Sequence, residues 1–129
     1  MKNKILWVIT AVLGLMVAMQ QLQASQGVDV KTAQSMVSQG ALLLDVREPS
    51  EYAAVHAVNA KLLPLGQVES RLQELAAFKD QPVAVICRSG RRSAQAVAML
   101  QEAGFTQVVN VQGGTSAWVE AGLDVVAQR

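Results

Sequence analysis

Cysteine is scarce in this chain, because Cys87 is the only one among 129 residues. A single cysteine cannot form an internal disulfide, so the folded domain depends on its apolar core alone. The second cysteine that a thioredoxin-type disulfide exchanger needs is also absent. The thiol of Cys87 therefore has no internal partner, and it is either a small buried apolar group or a reactive one.

A large excess of one charge is absent as well. The chain has 11 Lys and Arg residues against 10 Asp and Glu residues, and without the two lysines of its first four residues the balance is 9 against 10, a formal charge of −1. A near-neutral domain is a poor general binder of nucleic acid. Positive charge is local instead, since Arg88, Arg91 and Arg92 closely follow Cys87. This placement favours a small anionic partner over a polymer.

A long uncharged apolar run lies near the start of the chain, over residues 5–19. A basic start, an apolar run and a small residue such as Ala24 are typical of a secretory signal. We therefore predict that residues 1–24 are a signal peptide and that residues 25–129 form the exported, periplasmic domain. The alternative is an uncleaved inner-membrane anchor, which would be the chain's only membrane contact, although the run is shorter than the roughly 20 residues of a usual span. No cysteine directly follows the run, which excludes a lipoprotein.

Helical and strand patterns alternate from residue 28 onward, with short joints and no repeat or linker. Apolar runs predict strands at 41–46, 60–65, 82–87 and 106–111, whereas helical spacing predicts helices near 30–39, 50–54, 67–77, 92–104 and 115–122. This order predicts one α/β domain, with a central parallel sheet and helices on both faces. Ligands of such sheets bind at the carboxyl ends of the strands. Cys87 lies at one of those ends.

The short segment after Cys87 contains Gly90 and leads into a helix. A strand that turns tightly into a helix points backbone amides into the loop centre, where they bind anions. Together with the arginines, these amides favour the thiolate, and cysteines so placed have pKa values lowered from about 8.5 to roughly 3.5–7.5. The sequence therefore predicts that Cys87 is a reactive anion that needs no partner base.

Loop length separates two chemistries that use such a cysteine. Cysteine phosphatases have a C-x5-R loop whose final arginine binds phosphate, but here the sixth position after Cys87 is Ser93, and Arg92 comes one residue too early. A tighter loop fits a smaller guest, such as one extra sulfur atom. A phosphatase or arsenate reductase is therefore the less favoured alternative.

Three motifs, in order, carry a resemblance to a known family: "DVREPSEYAAVHAVNA" (45–60), "CRSGRRS" (87–93) and "NVQGGTSAW" (110–118). The chain resembles the single-domain rhodanese (thiosulfate sulfurtransferase-like) family, in an exported form, over roughly residues 28–126. The resemblance implies that Cys87 accepts a sulfane sulfur from a donor such as thiosulfate. The resulting persulfide then passes its sulfur to cyanide or to a thiol, on a small molecule or a protein. It implies no metal and no organic cofactor.

The resemblance also implies roles for individual residues. Cys87 is the expected catalytic residue, and the expected substrate-binding loop comprises Arg88, Ser89, Gly90, Arg91, Arg92 and Ser93, although the arginines also fit a solvated basic surface. Asp45 and Arg47 are expected to pair and brace the loop. His56 is expected to be a structural hydrogen-bonding residue rather than a proton carrier. A non-enzymatic carrier of persulfide sulfur is the second functional alternative.

The first motif departs from the family pattern at two glycines. This chain has Val55 and Asn59 at those positions. Asparagine tolerates a left-handed backbone, whereas valine does so with difficulty. The sequence therefore leaves the conformation of the turn around His56 open.

Overall fold

The computed structural model describes residues 2–25 and 27–129. Its α-helices are α1 (Lys2–Ser25), α2 (Val30–Ser38), α3 (Pro49–Ala54), α4 (Arg91–Glu102) and α5 (Gly114–Glu120). Its strands are β1 (Leu42–Asp45), β2 (Val55–Ala57), β3 (Lys61–Leu62), β4 (Val83–Ile86), β5 (Val108–Asn110) and β6 (Val125–Ala127). Two 3-10 helices, Leu65–Gln67 and Glu69–Phe78, connect β3 to β4.

Four strands form the central sheet, in the order β3-β1-β4-β5. All three neighbouring pairs are parallel, with Leu44 opposite Val85 and Val85 opposite Asn110. The carboxyl ends of β1, β4 and β5 therefore lie along one edge of the sheet. This edge brings Asp45, Cys87 and Asn110 into the same region.

Helices cover both faces of this sheet, because alternate strand residues enter two separate apolar layers. One layer packs β1 and β4 against α4 and the longer 3-10 helix; it includes Leu44, Val83, Val85, Leu75 and Leu100. The other packs the same strands against α2 and α5; it includes Leu43, Ala84, Ile86, Ala33 and Trp118. The predicted α/β fold, a parallel sheet with helices on both faces, is confirmed.

The helix predicted over residues 67–77 takes a different form. This segment is a 3-10 helix, and its backbone departs from helical geometry at Arg71, with φ −118° and ψ 18°. Only two of its apolar positions, Val68 and Leu75, are fully buried. Because the core holds the segment at these two points, a continuous α-helical face is not required.

The antiparallel pair formed by β2 and β6 was not predicted. These strands have three residues each, too few for an alternating pattern to be detected. Val55 begins β2 in an extended conformation, with φ −162°, whereas Asn59 has φ +69°. Of the two glycine replacements, only the asparagine therefore occupies the left-handed region.

The first helix, α1, presents exposed apolar side chains from Ile5 to Met16. Within residues 2–25 and 27–129, no helix combines the length and hydropathy needed to span a membrane. The predicted signal segment begins at Met1, which lies outside the described residues. Its cleavage after Ala24 stays a prediction.

Candidate active site

Cys87 follows β4 directly, at the carboxyl edge of the sheet, and is only 1% exposed. The loop after it turns at Gly90, whose φ of +105° lies in the left-handed region that favours glycine. This turn places the backbone N–H of Gly90 3.0 Å from Cys87 Sγ, where it donates a hydrogen bond. The loop therefore turns back so that one of its N–H groups contacts the Cys87 sulfur.

Ser93, in the first turn of α4, also faces the sulfur and is fully buried. Its hydroxyl oxygen lies 3.2 Å from Cys87 Sγ. Burial raises the pKa of the thiol, but hydrogen bonds from the Ser93 hydroxyl and from the N–H groups of Ser93, Gly90 and Ser89 outweigh it and lower the pKa of Cys87. The Cys87 thiol is therefore more acidic than an ordinary cysteine thiol. None of the groups that lower its pKa is a general base.

The amino end of α5 binds the carbonyl groups of the same loop. The N–H and the hydroxyl of Thr115 donate to the Cys87 carbonyl at 2.8 and 3.0 Å, and the N–H of Ser116 donates to the Arg88 carbonyl at 3.1 Å. Gly114 permits this approach, because a Cβ there would come within 2.6 Å of the Arg88 carbonyl oxygen. With the carbonyls of Cys87 and Arg88 directed at α5, the loop presents N–H groups to the sulfur.

Asn110, at the end of β5, connects two parts of the loop. Its side-chain oxygen Oδ1 accepts a hydrogen bond from the Ser93 hydroxyl at 2.6 Å, and its Nδ2 donates to the Gly90 carbonyl at 3.0 Å. Gly90 and Ser93 are also the two residues whose N–H and hydroxyl groups lie 3.0 and 3.2 Å from Cys87 Sγ. Asn110 therefore contacts the sulfur's partners without contacting the sulfur itself.

Asp45 and Arg47 form a buried ion pair where β1 ends. Arg47 Nη2 lies 2.8 Å from Asp45 Oδ2, and Arg47 Nε lies 3.0 and 3.1 Å from the two carboxylate oxygens. Arg47 Nη2 also donates to the Val55 carbonyl at 2.7 Å. The pair therefore connects the end of β1 to the start of β2, and its role in bracing the loop stays a prediction.

Arg92 and Glu51 form a second ion pair, which connects α4 to α3. The two guanidinium nitrogens of Arg92 lie 2.7 and 2.9 Å from the two carboxylate oxygens of Glu51. The hydrogen bond from Arg92 lowers the pKa of Glu51 to about 2. Glu51 therefore occupies one edge of this guanidinium. The substrate-binding role of Arg92 stays a prediction.

An open groove of about 430 Å³ lies beside the loop. Its lining includes Arg47, Glu51, Val55, Arg88, Thr115 and Val119. Arg88 is exposed, as are Ser89 and Arg91. The groove therefore combines an apolar wall with charged groups, close to the residue that follows Cys87.

His56 packs against α3. Its ring stacks on Tyr52, with centroids 3.7 Å apart and planes inclined by 4°. His56 Nδ1 lies 2.7 Å from the Tyr52 carbonyl oxygen, and because a carbonyl only accepts hydrogen bonds, Nδ1 is the donor. These contacts hold His56 against the preceding helix, α3, rather than against the Cys87 loop.

The sequence matches a family model described as the rhodanese-like domain over residues 29–121. This match spans most of the chain and contains the whole Cys87 loop. The chain belongs to the rhodanese-like domain family. The family predicted from the three motifs is thereby confirmed. Together with relatives that are named for sulfur transfer, the match supports, in general terms, a sulfurtransferase of the rhodanese type.

Relatives of this rhodanese-like chain include enzymes named for sulfur transfer. The sulfurtransferase of Allochromatium vinosum is 42% identical over 86 residues, which cover 67% of this chain and 78% of that protein. The thiosulfate sulfurtransferase GlpE of Vibrio cholerae is 41% identical over 101 residues, covering 78% and 93%. A crystal structure of a rhodanese-related protein from Thermoplasma volcanium superposes with a TM-score of 0.71 at 31% identity, covering 79% and 98%.

Three site residues of the rhodanese-like chain escaped the sequence prediction. Glu51, Asn110 and Thr115 bind Arg92, Ser93 and the Cys87 carbonyl respectively. All three lie inside the first and third motifs, so their motif membership was the available signal. Their individual contacts depend on tertiary packing, which motif spacing does not specify.

Proposed function

We propose that this rhodanese-like protein transfers the sulfane sulfur of thiosulfate to a thiophilic acceptor through a persulfide on Cys87. The thiolate attacks the outer sulfur of thiosulfate, the donor's sulfur–sulfur bond breaks, and sulfite leaves with the electron pair. An acceptor anion, such as cyanide or a thiolate, then attacks the outer sulfur of the persulfide. The bond to Cys87 Sγ breaks and the cysteine leaves as the thiolate. Each step exchanges one anion for another, so neither requires a proton.

The observation that carries this proposal is the convergence of hydrogen-bond donors on Cys87 Sγ. The Gly90 N–H and the Ser93 hydroxyl lie 3.0 and 3.2 Å from it. Donors directed at Sγ favour the anionic form of the cysteine, which is the form that attacks the donor. A thiolate that is stable without a partner base is the nucleophile that this transfer needs.

The loop also supports sulfur transfer over phosphate transfer. The position that a cysteine phosphatase gives to its phosphate-binding arginine is Ser93, which is fully buried and directed at Cys87 Sγ. Arg92, one residue earlier, pairs with Glu51. The loop therefore presents a small hydroxyl group where a phosphatase presents a guanidinium.

The groove beside the loop supports an anionic donor and a thiol acceptor. Arg88 lines it and is exposed, so its guanidinium attracts a dianion such as thiosulfate. Val55 and Val119 form an apolar wall, which suits the carbon chain of a thiol. We propose that donor and acceptor reach Cys87 in turn through this groove.

The intact mass of the purified protein tests the covalent step. We expect thiosulfate to add the mass of one sulfur atom to the native chain and cyanide to remove it as thiocyanate. We expect Cys87→Ser to show neither change while its circular dichroism spectrum stays native. Sulfur transfer that persists in Cys87→Ser, or a native chain that gains no sulfur, would overturn the proposal.

Two further measurements separate the alternatives. Steady-state thiocyanate formation with many turnovers per chain identifies an enzyme, whereas loading without turnover identifies a persulfide carrier. Hydrolysis of a phenyl phosphate ester that depends on Cys87 would identify a phosphatase instead.

A further inference from the structure

The hydroxyl group of Ser93 has two potential acceptors but only one proton. Its oxygen lies 2.6 Å from Asn110 Oδ1 and 3.2 Å from Cys87 Sγ. A serine hydroxyl donates one hydrogen bond and accepts others through its lone pairs. Ser93 can therefore donate to the asparagine or to the sulfur, but not fully to both.

The orientation of the Asn110 amide follows from its other contact. Its Nδ2 faces the Gly90 carbonyl at 3.0 Å, and a carbonyl oxygen only accepts. Oδ1 therefore faces Ser93, and since Oδ1 also only accepts, the bond between them must use the Ser93 proton. In this arrangement the Ser93 oxygen offers a lone pair to the sulfur, which suits a protonated thiol. A thiolate, in contrast, needs the Ser93 proton for itself.

We propose that Asn110 is a positioning residue that competes with the sulfur of Cys87 for the single hydroxyl proton of Ser93. This inference rests on the proposed function, because it gives Cys87 the role of the reacting thiolate. When the sulfur is a free thiolate, the Ser93 proton points to Sγ. In the persulfide the charge lies on the outer sulfur, so Sγ no longer draws the proton and it returns to Asn110. The Ser93 hydroxyl therefore reverses its direction twice in each transfer cycle.

Alkylation of Cys87 by iodoacetamide, measured against pH, tests the competition without requiring sulfur transfer. Cys87 is the only cysteine, so the midpoint of the rate profile reports its titration alone. We expect Ser93→Ala to raise the midpoint, because the thiolate loses a donor. We expect the same substitution to raise it further in an Asn110→Ala background, by at least about 0.5 pH unit more, because Ser93 there has the sulfur as its single strong acceptor. Equal shifts in the two backgrounds, or a smaller shift in Asn110→Ala, would overturn the proposal.

A second variant keeps the shape of the asparagine side chain, strengthens the acceptor that faces Ser93 and removes the Nδ2 donor to the Gly90 carbonyl. Asn110→Asp places a carboxylate against the Ser93 hydroxyl, which holds the proton away from the sulfur and adds a nearby negative charge. We expect its alkylation midpoint to rise by about one pH unit or more. The control is Gln101→Glu, which adds the same charge at an exposed position near the end of α4; we expect its midpoint to stay at the native value. An Asn110→Asp midpoint at or below the native value contradicts the proposal.

The two proposals fail in different ways. If Cys87 does not transfer sulfur, the mass measurement fails while the alkylation profiles still report on Ser93 and Asn110. If Asn110 does not compete for the proton, the alkylation shifts are additive while sulfur loading of the native chain persists. Circular dichroism and thermal unfolding of each variant show whether it has folded before its alkylation profile is compared.

Discussion

At the scale of single residues, the candidate site balances burial against hydrogen bonding. A buried sulfur anion is unfavourable on its own, and in this chain the loop amides and Ser93 outweigh that cost. The charged residues follow a different rule: Asp45 neutralises Arg47, and Glu51 neutralises Arg92. The arginine cluster seen in the sequence is therefore partly compensated, and Arg88 is the member of that cluster that lines the groove.

Glu51 provides a residue-scale prediction about the donor. Glu51→Gln removes a negative charge from the groove and weakens its hold on Arg92, so we expect the KM for thiosulfate to fall about two- to five-fold at low ionic strength. The pair is about one-third exposed, so we expect the free energy of unfolding to change by less than about 1 kcal/mol. Steady-state rates at low and high salt check the first expectation, and urea unfolding checks the second.

The control for this prediction is Glu74→Gln. Glu74 pairs with Arg71 on the longer 3-10 helix and does not line the groove. We expect its KM to match that of the native protein at every salt concentration. A Glu51→Gln variant with an unchanged or higher KM at low salt contradicts the idea that Glu51 weakens the attraction of the groove for an anionic donor. Because the pKa of Glu51 is lowered to about 2, its charge is present at any pH at which the assay is practical.

At the scale of elements, the loop lies between two helices that bind its opposite sides. Its amides face the sulfur at the start of α4, while the carbonyls of Cys87 and Arg88 face the first residues of α5. The two helices hold the loop in this orientation. For this arrangement to form, the backbone at Gly114 must lie close to the carbonyl groups of Cys87 and Arg88.

Gly114→Ala tests this element-scale arrangement. The new Cβ would collide with the carbonyl groups of Cys87 and Arg88, and the residue has φ +57°. We expect the free energy of unfolding to fall by about 1–3 kcal/mol and kcat/KM to fall at least about tenfold, because the loop amides move away from the sulfur. Urea unfolding and thiocyanate formation measure the two effects.

Gly66→Ala is the matched control. A Cβ at Gly66 meets no atom within 4 Å, and its φ is not in the left-handed region. We expect Gly66→Ala to keep the native activity and to leave stability unchanged or raise it by up to about 1 kcal/mol. If both glycine variants behave alike, the close approach of α5 to the loop does not matter for the site.

Some of these elements could be predicted from the sequence, and others could not. The apolar runs in β1 and β4 predicted strands correctly, because buried parallel strands need apolar residues on both faces. The short strands β2 and β6 were not predictable, since three residues carry too little periodicity. The nucleophile candidate and its loop were evident from Cys87 and Gly90. The contacts of Asn110, in contrast, depend on the pairing of β5 with β4, which no local pattern encodes.

At the scale of the whole molecule, the core is separate from the described side chains of the first helix. The buried apolar residues of the described chain extend from Val30 to Trp118, and the described side chains of α1, residues 3–16, are all exposed. The two apolar layers therefore close on the central sheet without those side chains. Removing residues 3–16 therefore removes no buried side chain.

This separation leads to a prediction about where the protein acts. We propose that the chain is exported, cut after Ala24, and active as residues 25–129. We expect the protein recovered from the periplasm of an expressing bacterium to have the mass of a chain that begins at Ser25 and to load sulfur on Cys87 as the full chain does. Recovery of the uncut chain in the membrane fraction would contradict cleavage and identify the segment as an anchor. Recovery of the uncut chain in the cytoplasm would contradict export altogether. The control is Ala24→Phe, because a signal peptidase requires a small residue at that position. We expect the cut chain to disappear in this variant while the folded domain keeps its activity.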